Sequence, residues 1–142
     1  MFLSPKNPKY TKSFSRKKQA TFKKKTNKMI FGDFCLIASE SGKITNFQME
    51  SLRRFLRRFL KKKAKIFFRI FPNMPITKKP NEVRLGRGKG PLKYWACFVN
   101  KGDCLLEIKG ANSLLAKKIL VDAKIKLPIK CFFHNKFNRW IF

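Results

Sequence analysis

The chain has 142 residues, enough for one domain with a real core and too few for two independent ones. Its 35 Lys+Arg against 7 Asp+Glu leave a net charge of +28, an excess that repels itself without a polyanion, so RNA or DNA is the expected partner rather than bulk solvent. Hydrophobic residues at 44%, including 16 Phe, exclude a wholly disordered basic tail, and no apolar run approaches the roughly 18 residues that span a bilayer.

Residues 1–28 read as an extended basic arm carrying Lys6, Lys9, Lys12, Arg16, Lys17, Lys18, Lys23, Lys24, Lys25 and Lys28, with no acid before Asp33. Blocks of like charge of this kind are interaction tails. Mitochondrial targeting segments are also basic and Ser-bearing, but they are Arg-rich amphipathic helices, whereas this segment is Lys-dominated and contains Pro5 and Pro8. Met29–Ala38, "MIFGDFCLIA", is rich in β-favouring residues, and "SESGK" supplies a turn after it.

Thr45 followed three residues later by Gln48 predicts a capping-box helix start, after which Leu52, Phe55, Leu56, Phe59 and Leu60 recur at helical spacing. Arg53, Arg54, Arg57, Arg58, Lys61 and Lys62 fill the remaining arc without an intervening acid. Like charges one turn apart repel, so this face is expected to meet phosphates. The same mixture of Phe and Arg also describes an interfacial helix, which leaves attachment to anionic lipid open.

"KIFFRIF", Lys65–Phe71, predicts a strand, followed by a long connection over residues 72–92 with Pro72, Pro75, Pro80, Pro91 and three glycines. Connections of that length are uncommon unless functional. "YWACFV", Tyr94–Val99, the turn "NKGD" and "CLLEI" predict an antiparallel hairpin. Asn112 or Ser113 is positioned to cap a second helix with the stripe Leu115, Ala116, Ile119, Leu120, Ala123 and Leu127, ending before Pro128, and "IKCFFH" predicts a last strand. The fold class is therefore α+β: a mostly antiparallel sheet with two helices packed on one face, over residues 29–135.

Within "RLGRGKG", Gly86, Gly88 and Gly90 satisfy neither G-x-x-x-x-G-K-[ST] nor G-x-G-x-x-G before a helix, so a nucleotide-binding loop is excluded. Alternate glycines permit positive φ and close backbone approach, and Arg84, Arg87 and Lys89 each reach a phosphate. The segment therefore suits a nucleic-acid backbone. Tyr94 and Trp95 beside it are candidates for base stacking, although an aromatic in an alternating strand is more often core. Cys35, Cys97, Cys104 and Cys131 form no C-x-x-C pair and His134 is the single histidine, which argues for small buried hydrophobes rather than a zinc site. The seven acids show no catalytic or metal-ligand spacing, so no enzyme, metal or cofactor is expected.

These segments, in order, resemble a known family, the bacterial-type large-subunit ribosomal protein L-sixteen family. The resemblance is carried by "LSPKNPKYTK", "FGDFCLIASESGKITNFQMESLRRFLRR", "KIFFRIFPNMPITKKPNEVRLGRGKGPLKYWACFV" and "AKIKLPIK", which together cover nearly the whole chain. It implies a non-catalytic constituent of the large ribosomal subunit bound to large-subunit rRNA and neighbouring ribosomal proteins, with no membrane and no small-molecule substrate. It further implies that Arg84, Gly86, Arg87, Gly88, Lys89 and Gly90 form a loop near tRNA and the peptidyl transferase centre, and that the arm binds rRNA. Leu85 stands where the family usually has Met and Arg87 where Lys is common. The aromatic tail 136–142, within "CFFHNKFNRWIF", also departs from the family, which leaves 5S rRNA contact open.

Nine of the basic residues are Arg, leaving 26 Lys. Lys, Phe, Ile and Asn have A/T-rich codons, and the chain begins close to where the family begins. Both features point to a protein encoded within a mitochondrion, with a plastid or a bacterial cytoplasm as alternatives.

Overall fold

The computed structural model describes residues 3–14, 29–61, 63–84, 86 and 88–136. In chain order the elements are β1 (Phe34–Ala38), β2 (Gly42–Thr45), α1 (Asn46–Leu60), β3 (Lys65–Phe68), β4 (Met74–Thr77), β5 (Leu92–Val99), β6 (Cys104–Lys109), α2 (Ser113–Ala123) with a short 3-10 turn at Lys124–Lys126, and β7 (Cys131–Asn135). All pairings are antiparallel and the class is α+β, as expected. The strands divide between two sheets, however, ordered β3-β6-β1-β7 and β2-β5-β4.

That division overturns the expected β5–β6 hairpin. The "NKGD" turn does form: Asp103 N–H donates to Asn100 O at 3.0 Å, and the Asp103 carboxylate accepts from Asn100 N–H at 2.8 Å. But Gly102 N–H donates to Ala38 O and Ala38 N–H to Asp103 O, so the end of β1 captures the turn. β6 then pairs with β1 and β3, while β5 stays in the other sheet.

Two strands lie where turn or loop was expected. Met74–Thr77 contains Pro75, which opposes Trp95 at the edge of the smaller sheet. Proline has no N–H to give a ladder, but an edge strand needs none on its open side. β2 begins in the "SESGK" turn with Gly42, where a Cβ would approach Ile129 Cγ2 to 2.3 Å. Conversely, Met29–Gly32 is not part of β1; its backbone is held by a side chain instead.

The Thr45 capping box forms on both sides, with Gln48 N–H to Thr45 Oγ1 at 3.3 Å and Thr45 N–H to Gln48 Oε1 at 2.9 Å. Met49, Leu52, Leu56 and Leu60 of α1 are buried. Phe55 is partly buried with its ring centroid 4.8 Å from that of Phe59 at a tilt of 51°, and Phe59 is exposed rather than part of the core. Asn112 caps α2 through Leu114 N–H, and Ala116, Ile119, Leu120 and Ala123 are buried, whereas Leu115 of the expected stripe is exposed. The helices touch each other, α1 lying against β2 and β5 and α2 against β1 and β7. α1 thus lies against the smaller sheet and α2 against the larger, and Phe34, Leu36, Leu106 and Ile108 of the larger sheet join one core with residues of both helices. No described helix is long and apolar enough to cross a membrane.

Candidate nucleic-acid interface

The three glycines of the loop do different physical work. Gly86 (φ 106°) and Gly88 (φ 76°) lie in the left-handed region, with nothing within 4 Å of a Cβ added to either, so conformation rather than space selects glycine there. At Gly90 space decides: a Cβ would sit 2.7 Å from the Lys78 carbonyl and the Lys79 nitrogen, where the two limbs of the loop meet. Lys78 N–H donates to Pro91 O at 3.2 Å across the same base, and Lys79 Nζ donates to Gly86 O at 2.5 Å. Because β4 occupies residues 74–77, the free connection is the shorter stretch 78–91. Arg84, Gly86, Gly88 and Lys89 are exposed on it. Arg87 lies outside the described residues.

The arm meets this loop. Lys12 Nζ donates to Lys89 O at 3.0 Å, Lys89 Nζ donates in return to Ser13 O, and the same ammonium lies 4.8 Å from the centroid of the Phe14 ring. Two segments expected as separate sites therefore join, 77 residues apart in sequence. Lys6, Lys9 and Lys12 are exposed, with Lys9 over the Tyr10 ring at 5.5 Å, while Leu3 packs against the core. Arg16, Lys17, Lys18, Lys23, Lys24 and Lys25 lie outside the described residues, as do Lys28, Lys62 and tail residues 137–142.

On α1, the charge repulsion expected among the arginines is relieved by an acid one turn upstream. Glu50 takes Arg53 on both carboxylate oxygens (Nε to Oε2 and Nη2 to Oε1, each 2.8 Å) and Arg54 Nε at 3.0 Å. Arg53 chiefly holds the Glu50 carboxyl down at about 2, against burial that opposes it and with Arg54 adding to the effect. Arg57, Arg58 and Lys61 are exposed and form no ion pair among the described residues. The helix thus presents a fixed pair of guanidinium groups beside three extended cations.

Glu107 carries no signal in the sequence, since one acid within "CLLEI" resembles an ordinary solvent-facing strand position. It is fully buried. Its carboxylate accepts from the N–H groups of Ile30 (3.2 Å), Phe31 (2.6 Å) and Gly32 (2.8 Å) and is paired with Arg69. Burial pushes this carboxyl up; the Phe31 and Gly32 N–H groups, the Arg69 guanidinium and the Ile30 N–H outweigh that and hold it below its ordinary value. Gly32 permits the approach, since a Cβ there would come within 2.7 Å of Ile108 O. The root of the arm is thereby fastened to the outer face of the larger sheet, where Met29 packs on Cys35, Ile37 and Cys104.

The remaining candidates are structural. Trp95 is 9% exposed and belongs to the buried residues, while Tyr94 is partly buried with Lys43 Nζ 5.9 Å from its ring. All four cysteines are buried and free; burial raises the Cys97 and Cys131 thiols to about 11, and the Cys104 hydrogen bond followed by burial raises Cys35. Burial lowers the pKa of His134. No group of three or more potential metal ligands occurs among the described residues.

Residues 5–134 match the family described as ribosomal protein L16p/L10e. The chain is 44% identical over 131 residues to the large ribosomal subunit protein uL16 of Coxiella burnetii (strain Dugway 5J108-111), covering 92% of this chain and 95% of that protein. It is 40% identical, with the same coverage, to uL16 of Thioalkalivibrio sulfidiphilus. It is 41% identical over 135 residues to uL16 of Pelagibacter ubique, covering 95% and 98%. With its arm root, both helices, its loop and all of its strands but the last residue of β7 inside the matched span, the chain belongs to the ribosomal protein L16p/L10e family, whose members are structural rather than enzymatic.

Proposed function

We propose that this protein is a structural constituent of the large ribosomal subunit that binds large-subunit rRNA through its arm and the cationic face of α1, and carries the loop 78–91 toward tRNA near the peptidyl transferase centre. The observation that carries this reading is the joined arm and loop: Lys12 and Lys89 tie the two together, and Arg84 and two left-handed glycines are exposed on the same loop. Such a unit suits phosphate contacts that position a strand without reading its sequence. Residues 29–135 serve as the body, and the tail 136–142 is a contact to a neighbouring ribosomal protein or to rRNA.

The compartment we propose is the mitochondrion. It rests on the Lys-, Phe- and Ile-rich composition of the chain; the three relatives are bacterial. In gradients of lysed organelles and cytosol, the protein should sediment with mitochondrial large subunits and leave them only at high salt, because every phosphate contact steepens the salt dependence. Recovery solely in ribosome-free fractions overturns the ribosomal role, and recovery on plastid or bacterial ribosomes overturns the compartment alone.

A further inference from the structure

β3 is an edge strand, and its register places Lys65 directly opposite Lys109 on β6. Both lysines are exposed, and the ion pairs among the described residues use only Glu50 and Glu107 as acids. Like charges directly opposed across strands destabilise a sheet, so this pair costs free energy that a bound anion would recover. Beside it opens a hollow of about 480 Å³ whose lining includes Lys63, Lys65 and Lys109, with Phe31 and Phe67 as its aromatic wall. The two rings are stacked on each other, 25° from parallel with centroids 5.3 Å apart; the Arg69 guanidinium lies 5.9 Å from the Phe31 ring, and Phe31 is 51% exposed although Glu107 holds its backbone N–H. Glu107, the acid beside Phe67 across the strands, has its carboxylate occupied by backbone N–H groups and Arg69. It therefore does not compensate the lysines.

We infer that this hollow is a binding site for one unpaired RNA nucleotide, its base stacked on the Phe31–Phe67 wall and its flanking phosphates held between Lys65 and Lys109, with Lys63 at the rim. An aromatic face with cations around it is what an extruded base and its backbone require, and a paired helix cannot offer that base. On the far side of β3 a second hollow of about 450 Å³ is lined by Arg53 and Arg57, so a strand leaving the site runs onto the cationic face of α1. The inference rests on the RNA-binding reading above and adds to it a specific subsite.

The test uses the full-length chain and two RNA hairpins carrying 2-aminopurine, one with that base as a single-nucleotide bulge and one fully paired. The bulged hairpin should bind about tenfold more tightly, the scale of stacking one base, and its emission should be quenched on binding. Phe31→Leu and Phe67→Leu, which stay apolar but lack an aromatic face, should bring the preference to within about twofold while leaving the paired hairpin bound as before. Lys65→Gln with Lys109→Gln should lower the salt slope for the bulged RNA by roughly 1.4, about 0.7 for each phosphate of a single strand. Equal affinity for the two hairpins, a preference that survives loss of both rings, or competition by poly-glutamate as strong as by bulged RNA each overturns the inference. A chain that joins large subunits yet shows no bulge preference refutes this subsite alone; a chain that never joins them refutes the ribosomal reading whatever the hairpins show.

Discussion

Replacing Glu107 with Gln removes one charge and leaves the shape, and the site cannot absorb the change. The carboxylate has Phe31 and Gly32 N–H on Oε2 and Arg69 on Oε1, all donors. An amide must turn its own NH2 toward one of these two sets, leaving a buried donor facing a donor, which costs about 1–3 kcal/mol. The hydrogen bonds that survive lose their charge assistance, about 1 kcal/mol each. A destabilisation of about 3–5 kcal/mol follows, a large share of the 5–15 kcal/mol typical of a domain. At roughly 3 °C per kcal/mol for a chain of this size, the melting temperature should fall by about 9–15 °C. Thermal unfolding of the RNA-free protein at pH 7 measures this, with the exposed Glu82→Gln as a control that should stay within about 0.5 kcal/mol. Hydrogen exchange at amides 30–32 should accelerate before the body unfolds. A shift under about 2 °C with unchanged exchange at those amides would refute the assignment of Glu107 as the fastening of the arm root.

Acid titration tests the same group and Glu50 together. Both carboxyls are held below their ordinary values in the folded state, so their stabilisation is complete above about pH 5 and is lost as pH falls through the folded values, with Glu50 releasing its share down to about 2; Glu107→Gln should flatten that slope in pH-dependent melts. Gly90→Ala should loosen the loop base, because its Cβ meets backbone at 2.7 Å, whereas Gly86→Ala meets only the left-handed backbone cost of about 1–2 kcal/mol and Gly86→Asn less; limited proteolysis within residues 78–91 ranks the three. Arg84→Ala with Arg87→Ala leaves the Lys12–Lys89 tie in place and should slow tRNA accommodation on reconstituted ribosomes without altering sedimentation; equal loss of both makes the loop architectural. Neutralising Lys23, Lys24 and Lys25 should weaken rRNA binding and lower its salt slope by roughly one unit for each phosphate no longer neutralised.

What the sequence made legible was local chemistry. Thr45 and Gln48 lie three residues apart, so the capping box and the Leu52–Leu56–Leu60 stripe could be read from the chain itself. The exclusion of a nucleotide loop likewise followed from spacing within seven residues. The partition of strands was not legible, because β5 and β6 look like any hairpin until Ala38 claims the turn between them. Pro75 disguised an edge strand as loop, since the property that bars proline from a sheet interior is harmless at its rim. The pairing of Glu107 with residues 30–32 and of Lys89 with Lys12 and Ser13 spans more than seventy positions. No periodicity encodes contacts at that separation.

On the RNA-binding role proposed above, the reciprocal lysine contacts between arm and loop would make the two extensions a bivalent ligand for RNA. Once either has docked, the other is presented at a high effective concentration, and part of the chain entropy it would lose on binding has already been lost. Their joint affinity would then exceed that of either alone, and replacing Lys89 would remove its half of the tie, the contact with Ser13 O, while Lys12 kept the Lys89 carbonyl.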